Sequence, residues 1–475
     1  MSERTRRPLG SLASLGVGSA GAALLVLLLA TWTWWPWRGT NLRLDLVVYV
    51  VAGTAVLFDT LDFALRLYFR HVHGGTSDTS VPLDVGRFTP YQMRLQLRPF
   101  AIIASVHNLA GRAEAFVAGL GPFRDRLFVI DDASTDDTAA ALERLGVRVT
   151  RSRVNRKKPG ALRVLMRVLP ADVASVIVMD PDVSFDLTVG PGGLSSLERM
   201  LFDFQRSGMA AACPRIVVRE EGLWSDLQSL EYTIALEIGR KALGDRGVTS
   251  GVSIYRRDAL EHALSVHSLS VYAEDFSNAL ILLSSDERIY YDGRLVVSTT
   301  AQRSWRRLFS QRVGWAFGLI QVYVRDFDRV LRASAGRPLL TYQLLVYAGA
   351  IGLLMHPVRV VGLGLMAGSL LNGLDNALGL EWIPDTRWLD PVHLLAAYVN
   401  YTLLVVAQVF VAFARRDRRR IWPIVPLYFV YTVGLCVPIT IGYLNWISLR
   451  VVGRRLYHDH YETDDALIRQ QMAAA

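Results

Sequence analysis

The residues of this chain best suited to chemistry are acidic and arrive in short groups. Asp131-Asp132, Asp136 and Asp180-Pro181-Asp182 are joined by the basic run Arg156-Lys157-Lys158, and His107-Asn108 precede them all. Hard carboxylate oxygens hold Mg²⁺ or Mn²⁺, and lysine offsets phosphate charge. Gathered on one surface, these residues would suit a nucleoside diphosphate accompanied by a divalent cation. Singly, each group has a plainer reading. A lone Asp-x-Asp is expected by chance in a chain that is about one-tenth acidic. Ser134–Asp137 also suits a helix cap, and Arg156–Lys158 a solvated turn.

What lifts the joint signal is the set of elements that must position these groups. Phe100–Val106, Arg126–Ile130, Val147–Arg151 and Ser175–Met179 are short runs rich in branched residues, the pattern of buried strands. Between them, Gly111–Leu120, Thr135–Leu145 and Gly160–Leu169 carry apolar residues near helical spacing. Strand and helix in alternation predict a parallel sheet covered by helices, whose ligands sit at the carboxyl ends of the strands. One polar group follows each strand: His107-Asn108, then the Asp131 run, then Arg156–Lys158, then Asp180–Asp182. All four are therefore expected on one rim.

The rest of the chain is of another kind. It has 475 residues, 51% hydrophobic and 20% charged, with a net charge of +9. This excludes intrinsic disorder, and two cysteines leave no disulfide framework. A run free of charge from Pro8 to Trp37 follows the three arginines of Met1–Arg7 and ends in Trp32, Trp34, Trp35 and Trp37. It reads as a first membrane span with an aromatic belt, rather than a cleaved signal peptide. Leu46–Leu67 reads as a second span, with Asp59 and Asp62 facing protein or headgroups. Further apolar runs are Leu339–Met355, Val358–Leu374, Pro391–Ala414 and the proline-interrupted Trp422–Leu449, for about six segments in all. Arg415–Arg420 holds five arginines and is expected in the cytoplasm, as is the chain before Leu339. Three candidate crossings lie between those two points, where an even number is required.

The expected organisation is a membrane region over 1–71, a cytoplasmic α/β domain over 72–303, and an amphipathic interface helix region over 304–336. A second membrane region covers 337–449, and 450–475 forms a tail. The protein is accordingly expected in the inner (plasma) membrane as a multi-pass chain. Basic residues border the apolar runs and the aromatics lie within them, so nucleic acid is not an expected partner.

From Phe100 to Trp315 the chain resembles the family 2 glycosyltransferases, specifically the membrane-embedded cellulose, chitin and hyaluronan synthase branch. The elements occur in family order: Ala104–Asn108, Asp131–Asp136, Lys158-Pro-Gly-Ala-Leu162 and Asp180-Pro-Asp182. Thr249-Ser-Gly251 through Arg256, Glu274-Asp275, Arg288–Asp292 and Gln311-Arg-Val-Gly-Trp315 follow. The resemblance implies a GT-A-type, Rossmann-like domain inserted between transmembrane helices. It implies donor contacts from His107, Asn108, Asp131, Asp132, Lys158 and Asp180, with uracil and ribose at the first acidic motif and the diphosphate at Lys158. It places Asp182, Ser250, Gly251, Gln311, Arg312 and Trp315 around the acceptor, Trp315 stacking on its sugar. It makes Asp275, beside Glu274, the general base.

The implied function is inverting transfer from a UDP-sugar to a growing β-linked polysaccharide, with translocation through the protein's own helices. Mg²⁺ or Mn²⁺ would serve as cofactor, held by Asp180 and Asp182. The implied partners are a saccharide or lipid acceptor, membrane lipid, and export or accessory subunits. The last motif of these synthases usually reads Gln-x-x-Arg-Trp, and here Gly314 stands at the arginine position. Arg312, Arg306 or Arg307 are the available replacements. The departure keeps open a non-processive transferase that adds one sugar to a lipid or short acceptor, and a silent membrane subunit or channel remains as a third reading.

Overall fold

The computed structural model describes residues 45–73, 78–83, 88–267, 272–380, 391–413 and 419–458. The first expected span and the end of the tail lie outside the described residues. In chain order the elements that matter are α1 (Asp45–His73), β1 (Phe100–Val106), β2 (Leu127–Asp132), α2 (Thr138–Arg144), β3 (Arg148–Ser152), α3 (Lys157–Val168) and β4 (Ser175–Val178). Next come β5 (Ser184–Asp186), α4 (Ser196–Ser207), β6 (Ala211–Val218), α5 (Leu223–Ile234), β7 (Ser253–Arg256), α6 (Arg257–Val266), α7 (Glu274–Ser284) and β8 (Ile289–Thr299). The chain then runs through α8 (Trp305–Arg325), α9 (Gly352–Leu378), α10 (Pro391–Ala412) and α11 (Val425–Val451).

Alternation along the strands builds two core layers. In β1, Ala101 and Ile103 join the cluster under α3, α6 and α7, while Phe100, Ile102, Ala104 and Val106 join the opposite one. β4 divides in the same way, with Val176 and Val178 on one face and Ile177 on the other. Successive side chains of a strand point to opposite faces, so a strand covered on both sides reads as a continuous apolar run.

The sheet has eight strands in the order β3-β2-β1-β4-β7-β6-β8-β5. The four strands expected from the sequence form its parallel half. The expectation of a wholly parallel sheet is corrected by the other half: β7 runs antiparallel to both β4 and β6, and β5 antiparallel to β8. This reversal matters for the site. Because β7 is antiparallel to β4, the Thr249–Gly251 segment that enters β7 lies at the carboxyl end of β4. β8 runs parallel to β6, so its last residue, Thr299, reaches the same rim. α7 leads back to the start of β8, which puts Glu274 and Asp275, at its amino end, on that rim too.

Boundaries shift in ways that bear on chemistry. β2 extends to include Asp131 and Asp132, which close the strand rather than follow it. α3 begins three residues earlier than expected and takes Lys158 into its first turn, where Pro159 is tolerated because the first helical N–H groups have no partner. The helix expected over Gly111–Leu120 is a 3₁₀ turn, Ala110–Arg112, followed by a short α-helix, Ala113–Ala118.

The expected spans change as well. Leu339–Met355 and Val358–Leu374 are not two segments. Helical structure runs from Pro338 to Thr341, through a π-helical stretch at Tyr342–Ile351, and straight on into α9 with Pro357 inside it. Leu340 and Leu344 of this run pack into the core of the α/β domain. The proline-interrupted last run is one helix, α11, with Pro438 inside and the 3₁₀ turn Trp422–Ile424 before it. Among the described residues one helix, Trp422–Val451, is long and apolar enough to cross a membrane. The amphipathic helix expected within 304–336 is α8, capped by the Ser304 hydroxyl, with many of its side chains buried. It is clasped against α11, where a Cβ added at Gly442 would strike the Val313 carbonyl and the Ala316 methyl.

Candidate active site

The loops after β1 and β2 are laced together by short polar side chains. Asn108 adopts a left-handed conformation (φ 51°). It donates its N–H to Ser134 Oγ (2.9 Å) and accepts the Thr135 N–H on Oδ1 (2.9 Å). Asp131 Oδ1 accepts the Ser134 N–H (3.0 Å), and Asp136 accepts N–H groups from Ala110 and Thr138 (3.1 Å each). Asp132 is buried and accepts the Arg156 N–H (2.8 Å), which ties β2 to the start of α3. Burial raises its carboxyl above the ordinary value, against the pull of the Arg156 and Lys157 N–H groups. His107 Nδ1 lies 3.1 Å from the Asp132 carbonyl oxygen.

At the centre of the rim Lys158 bridges two carboxylates. Its Nζ stands 2.5 Å from Asp180 Oδ1 and 2.6 Å from Glu274 Oε1. Burial disfavours the ammonium, but the two carboxylates outweigh it and lift its pKa well above the ordinary lysine value. Burial likewise works to raise Glu274, and Lys158 overrides it, so that carboxyl falls below its usual range. Asp180 goes the other way: burial, with Glu274 and Asp182 nearby, pushes it up to about 6 in spite of Lys158. Gly251 is set against this carboxylate so closely that a Cβ there would collide with Asp180 Oδ2.

Asp275 is held by its backbone rather than by a counter-ion. Thr249 Oγ1 donates to its carbonyl (2.7 Å), and the Phe276 N–H donates to its Oδ1 (2.8 Å). Burial and the adjacent Glu274 raise its carboxyl above the ordinary aspartate value. The two residues of the pair thus have different surroundings. Glu274 is bound to a lysine, while Asp275 has no ionic partner in contact among the described residues and a raised proton affinity, as a proton acceptor requires.

Other expected site residues behave less simply. Asp182 accepts a hydrogen bond from Thr299 Oγ1 (3.0 Å), a contact that no sequence motif signals. The Ser250 hydroxyl turns inward, donating to the Val252 carbonyl (2.6 Å) beside Cys213 Sγ (3.2 Å), so it braces the loop instead of facing the cleft. Arg312 is buried, 2.7 Å from Glu231 Oε2, and its guanidinium lies 4.3 Å from the centre of the Trp315 ring. Tyr431 of α11 donates to the same Glu231 oxygen (2.5 Å). Arg312 therefore belongs to a three-helix junction, its charge paired with Glu231. Gln311 Oε1 is buried without a hydrogen-bond partner among the described residues, whereas Trp315 is 40% exposed.

The donor set suits a divalent cation that keeps phosphate and water ligands. Asp180 and Asp182 supply hard oxygens on one rim, and a cationic group, the Lys158 ammonium, already rests on Asp180. Among the described residues no group of three or more His, Cys, Asp or Glu side chains forms a chelating cluster, so the remaining ligands would come from the donor and solvent.

A mixed α/β sheet with two carboxylate pairs and a lysine at the carboxyl ends of its strands is a Rossmann-like architecture of the GT-A kind. Residues 101–264 match the family model for glycosyl transferase family 2. No curated protein matches in sequence. Among solved structures, the chain is similar to glucosyl-3-phosphoglycerate synthase from Mycobacterium tuberculosis, crystallised with Mn²⁺, UDP-glucose and phosphoglyceric acid. The identity is 18% and the TM-score 0.34, over 51% of this chain and 84% of that one. It is also similar to a protein described only as mycobacterial, at 16% identity and a TM-score of 0.33, over 50% and 79% of the two chains.

Proposed function

We propose that the protein is a metal-dependent, inverting glycosyltransferase that uses a UDP-sugar and elongates a β-linked saccharide at the inner face of the plasma membrane. The observation that carries the reading is the convergence of Asp132, Lys158, Asp180, Asp182, Glu274 and Asp275, drawn from four separate segments, on a single rim.

In this reading Asp131 and Asp132 face the nucleoside, and Lys158 meets the diphosphate. Asp180 and Asp182 hold Mg²⁺ or Mn²⁺, whose chemistry is to stabilise negative charge on the leaving diphosphate. Lys158 adds to that stabilisation as the sugar–phosphate bond breaks. Asp275 takes the proton of the acceptor hydroxyl while its oxygen bonds to the anomeric carbon. A single base and direct displacement invert that carbon. Trp315 offers an aromatic face on which an acceptor sugar can rest.

Membrane placement is supported by charge and by contact. Arg415–Arg420 favours the cytoplasmic side, and Arg420 pairs with Glu221 of the α/β domain. In this reading the continuous helical run Pro338–Leu378 is one crossing and Pro391–Ala412 a second, which puts Arg420 on the same side as the domain.

Addition of a single sugar to a lipid or short acceptor is the second reading. It is favoured by Gly314 together with the engagement of Arg312 by Glu231. The purified full-length protein should release UDP from one of UDP-glucose, UDP-N-acetylglucosamine, UDP-glucuronate or UDP-galactose in Mn²⁺ or Mg²⁺. A labelled ladder or high polymer would support elongation, and a one-sugar adduct the second reading. Absence of turnover with every donor would count against both.

A further inference from the structure

We propose that Lys158 keeps the Asp180 carboxylate occupied until a nucleotide arrives, so that divalent cation and nucleoside diphosphate bind as a pair and each binds poorly alone. The inference rests on the reading of this rim as a nucleotide and cation site, and goes beyond it by giving the order in which the charges are exchanged.

Asp180 Oδ1 accepts the Lys158 ammonium at 2.5 Å, in a pocket drawn tight by Gly251 on the other carboxylate oxygen. A divalent cation arriving alone would have to share Asp180 with an ammonium a few ångströms away, and like charges at that separation repel strongly in a partly buried site. Alternatively it would have to expel Lys158, whose charge is then left with Glu274 alone. Both routes cost free energy that the cation must supply. A diphosphate removes that cost. It offers Lys158 a stronger anionic partner, and the ammonium has three N–H donors, so it can stay on Glu274 while leaving Asp180. The freed carboxylate then joins Asp182 in receiving the cation. Glu274 is the pivot of this exchange, which explains why its carboxylate sits against the lysine whereas Asp275 does not.

The exchange has a signature that activity does not report. Mn²⁺ binding to the purified full-length protein, read from the electron paramagnetic resonance signal of the free ion, should tighten about tenfold or more when UDP is added, within the usual range of coupling between sites. Lys158→Met should tighten Mn²⁺ binding without nucleotide by about the same factor and reduce the further gain on adding UDP, while Lys158→Arg keeps the suppression. Arg156→Met removes an equal charge from the start of the same helix, where the guanidinium bonds to Ser152 Oγ, and should leave Mn²⁺ binding without nucleotide unchanged. Asp180→Asn should lose Mn²⁺ with or without UDP. Circular dichroism confirms that each variant is folded.

The proposal is overturned if folded Lys158→Met binds Mn²⁺ alone no better than the parent. It is also overturned if Arg156→Met gains as much as Lys158→Met, or if Asp180→Asn retains the ion. The arm without nucleotide tests the lysine whether or not the protein transfers sugar. A parent protein whose Mn²⁺ affinity ignores UDP would sink the nucleotide reading of the site together with the exchange.

Discussion

Glu274 and Asp275 are neighbours in sequence with the same chemistry, yet their surroundings give them different work. Glu274 is neutralised by Lys158, whereas burial and that same Glu274 make Asp275 reluctant to ionise. Asp275→Asn should therefore lower kcat by about 10²- to 10⁴-fold while UDP binding, measured by calorimetry, is retained. Because the carboxyl is raised, its base form appears only as pH climbs above the ordinary aspartate value. The acid limb of the kcat profile should thus rise with pH from a midpoint above 3.8. Equal loss of UDP binding and kcat in Asp275→Asn would mean that the residue is structural. The acidic types and their order were legible in the sequence. The division of labour was not, because it depends on a lysine that lies 116 residues upstream of Glu274 and reaches it only across the folded rim.

Among the elements, the four parallel strands could be read directly: β1, β2 and β4 are buried on both faces and leave runs of branched residues, and β3 follows at the sheet edge. The antiparallel half could not. β7 and β5 have four and three residues, and they take their places through pairings distant in the chain that no local pattern reports. The junction of α5, α8 and α11 is equally silent in sequence. Glu231, Arg312 and Tyr431 come from three helices, and nothing local marks them as partners. Arg312 is almost wholly buried, so removing its counter-ion strands a charge. Glu231→Gln should destabilise the fold by about 3–5 kcal/mol, and adding Arg312→Met to it should recover most of the loss. Thermal or denaturant unfolding of the single and double variants decides this. If the double variant is no more stable than Glu231→Gln, the pair is not what holds the junction.

At the level of the whole molecule, the pairing of Arg420 with Glu221 brings the loop before α11 against the catalytic domain. If α9 and α10 each cross the bilayer once, these two residues share a side. Glu221→Cys and Arg420→Cys, introduced separately, should react with a membrane-impermeant maleimide in inverted vesicles and not in intact cells. Both native cysteines, Cys213 and Cys436, are buried and should stay silent. Opposite accessibility at the two positions would refute the two-crossing arrangement.

The amino-acid sequence on its own determined that polar groups follow successive strands, that they are carboxylates and a lysine, and that long apolar runs flank the domain. These are properties of side-chain type and of local period, and both are carried by neighbours in the chain. Tertiary structure alone decided that β7 reverses the sheet and delivers Thr249–Gly251 and α7 to the rim. It also decided that Lys158 spans Asp180 and Glu274, that two apolar runs fuse into one helix, and that Arg312 is spent on Glu231. Each of these outcomes is a contact between segments far apart in sequence, set by how the layers pack and by which buried charge finds a partner. No window of neighbouring residues contains that information.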